Sequence, residues 1–101
     1  MVDIPKMAEK TRAMLQSALD AFVRRDAELA RQIPAQDDEV DDLYNQVYRE
    51  LLTLIMSNPH NIDQATHLLW VAHNLERAAD RVTNICERVI FTVTGELKEI
   101  S

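Results

Sequence analysis

Apolar side chains recur at steps of three and four residues along three successive stretches of this chain, and the residues that punctuate backbone structure fall between them. Only a helix places such positions on one face. The first series is Ile4, Met7, Thr11, Met14, Leu15, Ala18, Phe22, Leu29 and Ile33, with a weak point around Arg25. It predicts a helix over about residues 4–32, with Asp3 as a candidate N-cap, Pro5 in the first turn and Pro34 forbidding continuation. The second, Val40, Leu43, Val47, Leu51, Leu54 and Ile55, predicts a helix over about residues 38–56, closed by Ser57-Asn58-Pro59. The third, Ala65, Leu68, Leu69, Ala72, Leu75, Ala79, Val82, Cys86, Val89 and Val93, predicts a helix over about residues 60–94. Asn58 or Asn61 would cap its start, and Gly95 would close it in the left-handed conformation.

The expected fold is therefore all-α, an antiparallel three-helix bundle with two long outer helices, in one domain over residues 1–101. Short connections force neighbouring helices to run antiparallel. One Gly and three Pro in 101 residues leave little material for loops, and no window alternates with a period of two. At 1.5 Å per residue the outer helices would be about 40–50 Å long and the middle one roughly 30 Å. The overhang would leave apolar surface near Trp70 and after Val89 open to a partner. No internal repeat is visible, and the tail Glu96 to Ser101 is expected to fray.

A formal charge of −6 argues against nucleic acid, because Lys and Arg are scattered among carboxylates rather than clustered. An anionic membrane surface is disfavoured for the same reason. No apolar stretch approaches the roughly 20 residues that cross a bilayer, and no secretion signal is evident, so a cytoplasmic location is expected. The lone Cys86 falls on the apolar side of its helix, where a reduced, buried thiol is the simplest outcome. A nucleophilic enzyme finds no support, since one Gly cannot build a phosphate loop and no Gly-x-Ser-x-Gly elbow occurs.

Chemistry concentrates at carboxylates. On a helical wheel Glu76, Asp80, Thr83 and Glu87 share a narrow sector bordered by His73 and Asn84, about 80° from the apolar centre of the third helix. Asp37 and Asp41 stand in nearly the same relation to the apolar face of the second. Two edges of carboxylates facing one another would repel unless solvated, protonated, salt-bridged or neutralised by a cation. Oxygen ligands with few imidazoles favour iron, Mg, Mn or Ca over zinc, for which the lone Cys and the scattered His60, His67 and His73 give no suitable spacing. Spacing alone does not decide the matter. With 17 acidic residues, chance placement yields about three acidic pairs at i,i+4, a spacing that only marks one helix face. The chain has three, Asp37/Asp41, Asp38/Asp42 and Glu76/Asp80. Asp37 can equally cap the second helix, and Glu76 and Asp80 can pair with Arg77, Arg81 or another arginine. Tyr44, Tyr48 and Trp70 suit packing rather than ligation.

The run Asn74-Leu75-Glu76-Arg77-Ala78-Ala79-Asp80-Arg81-Val82-Thr83-Asn84-Ile85-Cys86-Glu87 resembles the signature of the PhoU family, helical regulators of bacterial phosphate uptake. Ala18-Leu19-Asp20-Ala21-Phe22 followed by Asp26, and Asp37-x-x-Val40-Asp41, resemble its patterns on the first and second helices. Ala78-Ala79 stands where Ile-Gly or Ile-Ala is more typical. The resemblance covers nearly the whole chain and is closest to the second of the family's two tandem repeats. It implies a three-helix bundle whose acidic motifs bind metal, with Asp37, Asp41, Glu76 and Asp80 as ligands and Asn84 as a further candidate. It also implies a non-enzymatic cytoplasmic adaptor that contacts phosphate transporter components and a sensor kinase and represses phosphate-starvation signalling. A single repeat with its interface exposed would self-associate, as a dimer. The alternative is a metal-free helical module for oligomerisation or interaction.

Overall fold

The computed structural model describes residues 3–95, and the expected fraying of the tail lies outside them. Four α-helices and two short 3-10 turns account for nearly all of these residues: α1 (Ile4–Arg24), α2 (Ala27–Gln32), a 3-10 turn (Ile33–Gln36), α3 (Asp37–Ser57), a second 3-10 turn (Pro59–Asn61) and α4 (Ile62–Thr94). They form three arms of a rod with extents of 54 × 20 × 16 Å. α1 makes the first arm, α2 and α3 together the second, and α4 the third. Arg25 at the end of α1 reaches the Thr92 carbonyl near the end of α4, so these two run parallel. The second arm runs against both, bringing Asp37 and Asp41 to Asp80 and, at the far end, Leu54 to Asn61. The architecture is thus an all-α bundle of three arms, as the helical spacing of the sequence predicts.

The first reversal falls at Arg25–Asp26 and not at Pro34. Arg25 adopts a left-handed conformation (φ 54°). Its N–H donates to the Phe22 carbonyl, and the Asp26 N–H donates to the Ala21 carbonyl at 2.9 Å, the paired closure that ends a helix in a left-handed residue. The Asp26 carboxylate then accepts from the Leu29 N–H at 3.0 Å and caps α2. The first helix thus ends at Arg24 instead of near residue 32, and the middle arm becomes the longer for it. Pro34 is accommodated inside that arm, at the start of a 3-10 turn where a missing N–H leaves no bond unmade.

The other ends divide. Gly95 (φ 75°) closes α4 as expected, its N–H donating to the Phe91 carbonyl. Asn58 caps the 3-10 turn that leads into α4, accepting from the His60 N–H. Asp3 and Asn61 stand at N-cap positions without making a side-chain cap.

Met7, Met14, Ala18 and Ala21 of α1, Ile33, Val40, Val47 and Leu51 of the middle arm, and Ala72, Ala79, Cys86 and Ile90 of α4 meet in one buried core. Small residues dominate the centre of α4, which lets three helices pack around it closely. Trp70 and Phe91 lie outside that core and are exposed, as are Leu15, Leu19, Phe22 and Val23 along α1. The middle arm is not short, so no overhang forms, but apolar surface is open near Trp70 and at Phe91 and Val93, as expected, and also along the flank of α1. Among the described residues no helix is long and apolar enough to cross a membrane.

Candidate metal centre

Burial of Val40 and Val47 fixes the rotation of α3, and burial of Ala79, Val82 and Cys86 fixes that of α4. Asp37 and Asp41, one turn apart at the start of α3, are thereby turned toward Asp80 on α4. One carboxylate oxygen from each of the three lies within 4.8 Å of the other two. Metal–oxygen bonds to hard cations are about 2.0–2.6 Å long, so oxygens around one ion are at most about 4–5 Å apart, a limit that these three meet.

The three acids are unequally sheltered. Asp37 and Asp41 are half-buried and Asp80 is exposed. Burial, the neighbouring charges of Asp41 and Asp80, a hydrogen bond with Asp80, and the charge of Glu76 push the Asp37 carboxyl up to about 6. Burial, then the charges of Asp80, Asp38 and Asp42, also raises Asp41. Glu76 is raised by burial, by the charge of Asp80 and a hydrogen bond with it, and by Asp41, against an opposing pull from His73. Glu76 therefore belongs to the same electrostatic cluster, one turn along α4 from Asp80, but outside the tight three-oxygen set. Asn84 lies on the other side of Asp80. It shares a concavity of about 410 Å³ with Asp37, Asp38, Asp80, Thr83 and Arg31.

Two alternative roles are not the ones these residues take. Asp37 is the first residue inside α3, whose cap position is Gln36, so it does not cap the helix with its side chain. Arg77 and Arg81 pair with neither Glu76 nor Asp80, and among the described residues none of the four carboxylates forms an ion pair with a basic side chain. Like charges crowded in this way favour protonation or a cation.

The donor set fits a hard cation. One Asp37 oxygen is buried with no hydrogen-bond partner, as is the hydroxyl of Thr83, which lines the same concavity. Orphaned oxygens at a cluster of raised carboxyls are what a cation would satisfy. Three Asp oxygens and a hydroxyl suit Mg, Mn, Ca or iron, and the set offers neither imidazole nor thiolate for zinc. Thr83 and Asp38 were not singled out as ligands by sequence. Thr83 shared the acidic sector of the wheel, and that was the available signal; Asp38 looked like any acid in the first turn of a helix.

A model of the PhoU domain matches residues 4–89. A phosphate-specific transport system accessory protein PhoU homolog of Caulobacter vibrioides is 44% identical over 93 residues, covering 92% of this chain and 40% of that protein. One from Clostridium acetobutylicum is 35% identical over 99 residues, covering 98% of this chain and 45% of that protein. The crystal structure of the phosphate transport system regulatory protein PhoU from Streptococcus pneumoniae superposes with a TM-score of 0.87 at 32% identity, over 96% of this chain and 46% of that one. The chain thus spans less than half the length of these relatives. A family model over most of the chain, substantial identity along nearly all of it, and a shared fold lead to one conclusion: the chain belongs to the PhoU family.

Proposed function

We propose that this chain is a non-enzymatic regulator of phosphate uptake, an adaptor that represses phosphate transport and phosphate-starvation signalling through contacts with transporter components and a sensor kinase. Identity to phosphate transport accessory proteins along nearly the whole chain supports this reading. We further propose that Asp37, Asp41, Glu76 and Asp80, with Asn84 as a further ligand, hold a divalent or trivalent cation on the surface where a partner docks, in the cytoplasm. The convergence of three carboxylate oxygens within 4.8 Å carries this part.

The test is metal analysis and thermal melting of the purified protein, with and without chelator, beside a Glu76→Ala, Asp80→Ala double variant. The expected outcome is bound metal that is lost in the variant, and a melting temperature that falls on chelation. A cation present at 100 times its dissociation constant would stabilise the fold by about 2.7 kcal/mol. Absence of metal, with a melting temperature in the variant equal to or above that of the parent, would overturn the metal site.

The second reading is a metal-free interaction module. The open apolar row Leu15, Leu19, Phe22 and Val23 favours it. Self-association through such a surface, as a dimer, belongs to both readings.

A further inference from the structure

On the flank of α4 next to the acids, a groove of about 270 Å³ runs between α1 and α4 and is lined by Thr11, Leu15, Asn74, Arg77, Arg81 and Ile85. Its charged groups are both donors, while the Asn74 amide group donates away from them, to the Trp70 carbonyl at 2.9 Å. Arg77 and Arg81 stand one turn apart, both exposed, and among the described residues neither forms an ion pair or hydrogen bond, although Glu76 and Asp80 are within reach by sequence. Thr11 is only 7% exposed, and its hydroxyl is buried without a hydrogen-bond partner. A buried hydroxyl left unpaired is costly. Thr11 lines the groove, and a ligand oxygen that reached its hydroxyl would supply the partner it lacks. The rest of the wall is apolar, formed by Leu15, Ala78, Val82 and Ile85.

We propose that this groove binds a small phosphate monoester carried on an apolar body. Guanidinium forks match the oxygens of phosphate in pairs, which a point charge such as Lys does not. Two guanidinium forks and a hydroxyl offer more donors than the two oxygens of a carboxylate can accept, and the three free oxygens of a monoester have the capacity for them. The fourth oxygen leads to the organic part, which rests on Leu15 and Ile85. The acidic cluster lines a separate concavity on the neighbouring flank of α4. Its charge and the overall −6 oppose any anion, so binding is weak and falls further with added salt.

The experiment is a nuclear magnetic resonance titration of ¹⁵N-labelled protein at neutral pH, low ionic strength and with chelator present, so that no cation bridges phosphate to the acids. Phenyl phosphate and inorganic phosphate are the probes. The expected result is saturable shifts confined to amides of residues 11–15 and 74–85, with phenyl phosphate binding several-fold tighter, the organic part adding to what the oxygens supply. Arg77→Gln with Arg81→Gln weakens binding at least about tenfold, as loss of charge-assisted hydrogen bonds requires. Arg24→Gln, outside the groove, leaves it unchanged. All three positions are exposed, and circular dichroism checks that each variant folds. Absence of saturable binding, shifts spread over the segments around Arg24, Arg49 and Arg88, or unchanged affinity in the double variant would overturn the site. Inorganic phosphate binding as tightly as phenyl phosphate would overturn the monoester assignment.

Discussion

Asp37 stays neutral to about pH 6, because burial and the charges of Asp41, Asp80 and Glu76 all disfavour its ionised form. In the unfolded chain the same carboxyl ionises near 3.8. Between those values the folded state holds more protons than the unfolded one, so its stability falls as pH rises. Measured without metal, the denaturation midpoint should therefore decline from about pH 4 to above pH 6, and Asp37→Asn should remove much of that slope. A flat profile in the parent protein would show that the carboxylates are better solvated than the structure indicates. The sequence made all four acids legible as rim residues but could not say which of them meet. Asp38 and Asp42 repeat the spacing of Asp37 and Asp41 while lying exposed, one position further round α3. What separates the pairs is the rotation of α3 against α4, which core packing sets and spacing does not encode.

Among the elements, the two-residue turn Arg25–Asp26 shows where local reading falls short. The break in apolar spacing around Arg25 was visible, yet Pro34 outweighed it as the expected end of the first helix. Arg is not a usual left-handed residue, so nothing announced a helix closure there, and Asp26 acting as cap to a six-residue helix is a faint signal. Gly95 lies at the opposite extreme, a residue type that favours the conformation it adopts. If the Asp26 carboxylate holds the start of α2, Asp26→Ala should destabilise the fold by about 1 kcal/mol, which for a domain of this size lowers the melting temperature by about 4–8 °C. A shift below 1 °C would mean that packing of Ala27 and Ala30 alone positions α2.

At the scale of the molecule, the row Leu15, Leu19, Phe22 and Val23 leaves one flank of the rod apolar. The proposed self-association predicts a sedimentation mass above that of one chain, falling to it in a Phe22→Glu, Val23→Glu variant that keeps its helicity; a parent protein that sediments as a single chain at all concentrations would refute it. The alternation that buries one face of α1 was readable in sequence, but the flank left over is defined only once the neighbouring arms are in place. α4 has a different standing. It alone touches every other helix and both 3-10 turns, and in a body 16 Å thick no arm lies deep. When α1 or the middle arm detaches transiently, α4 still keeps a partner along most of its length. Amide protons at its centre, around Ala72 to Cys86, should thus exchange with solvent deuterium only through opening of the whole fold. Those of α1 and α2 should exchange through cheaper, partial openings, so that protection is graded across the three arms instead of uniform.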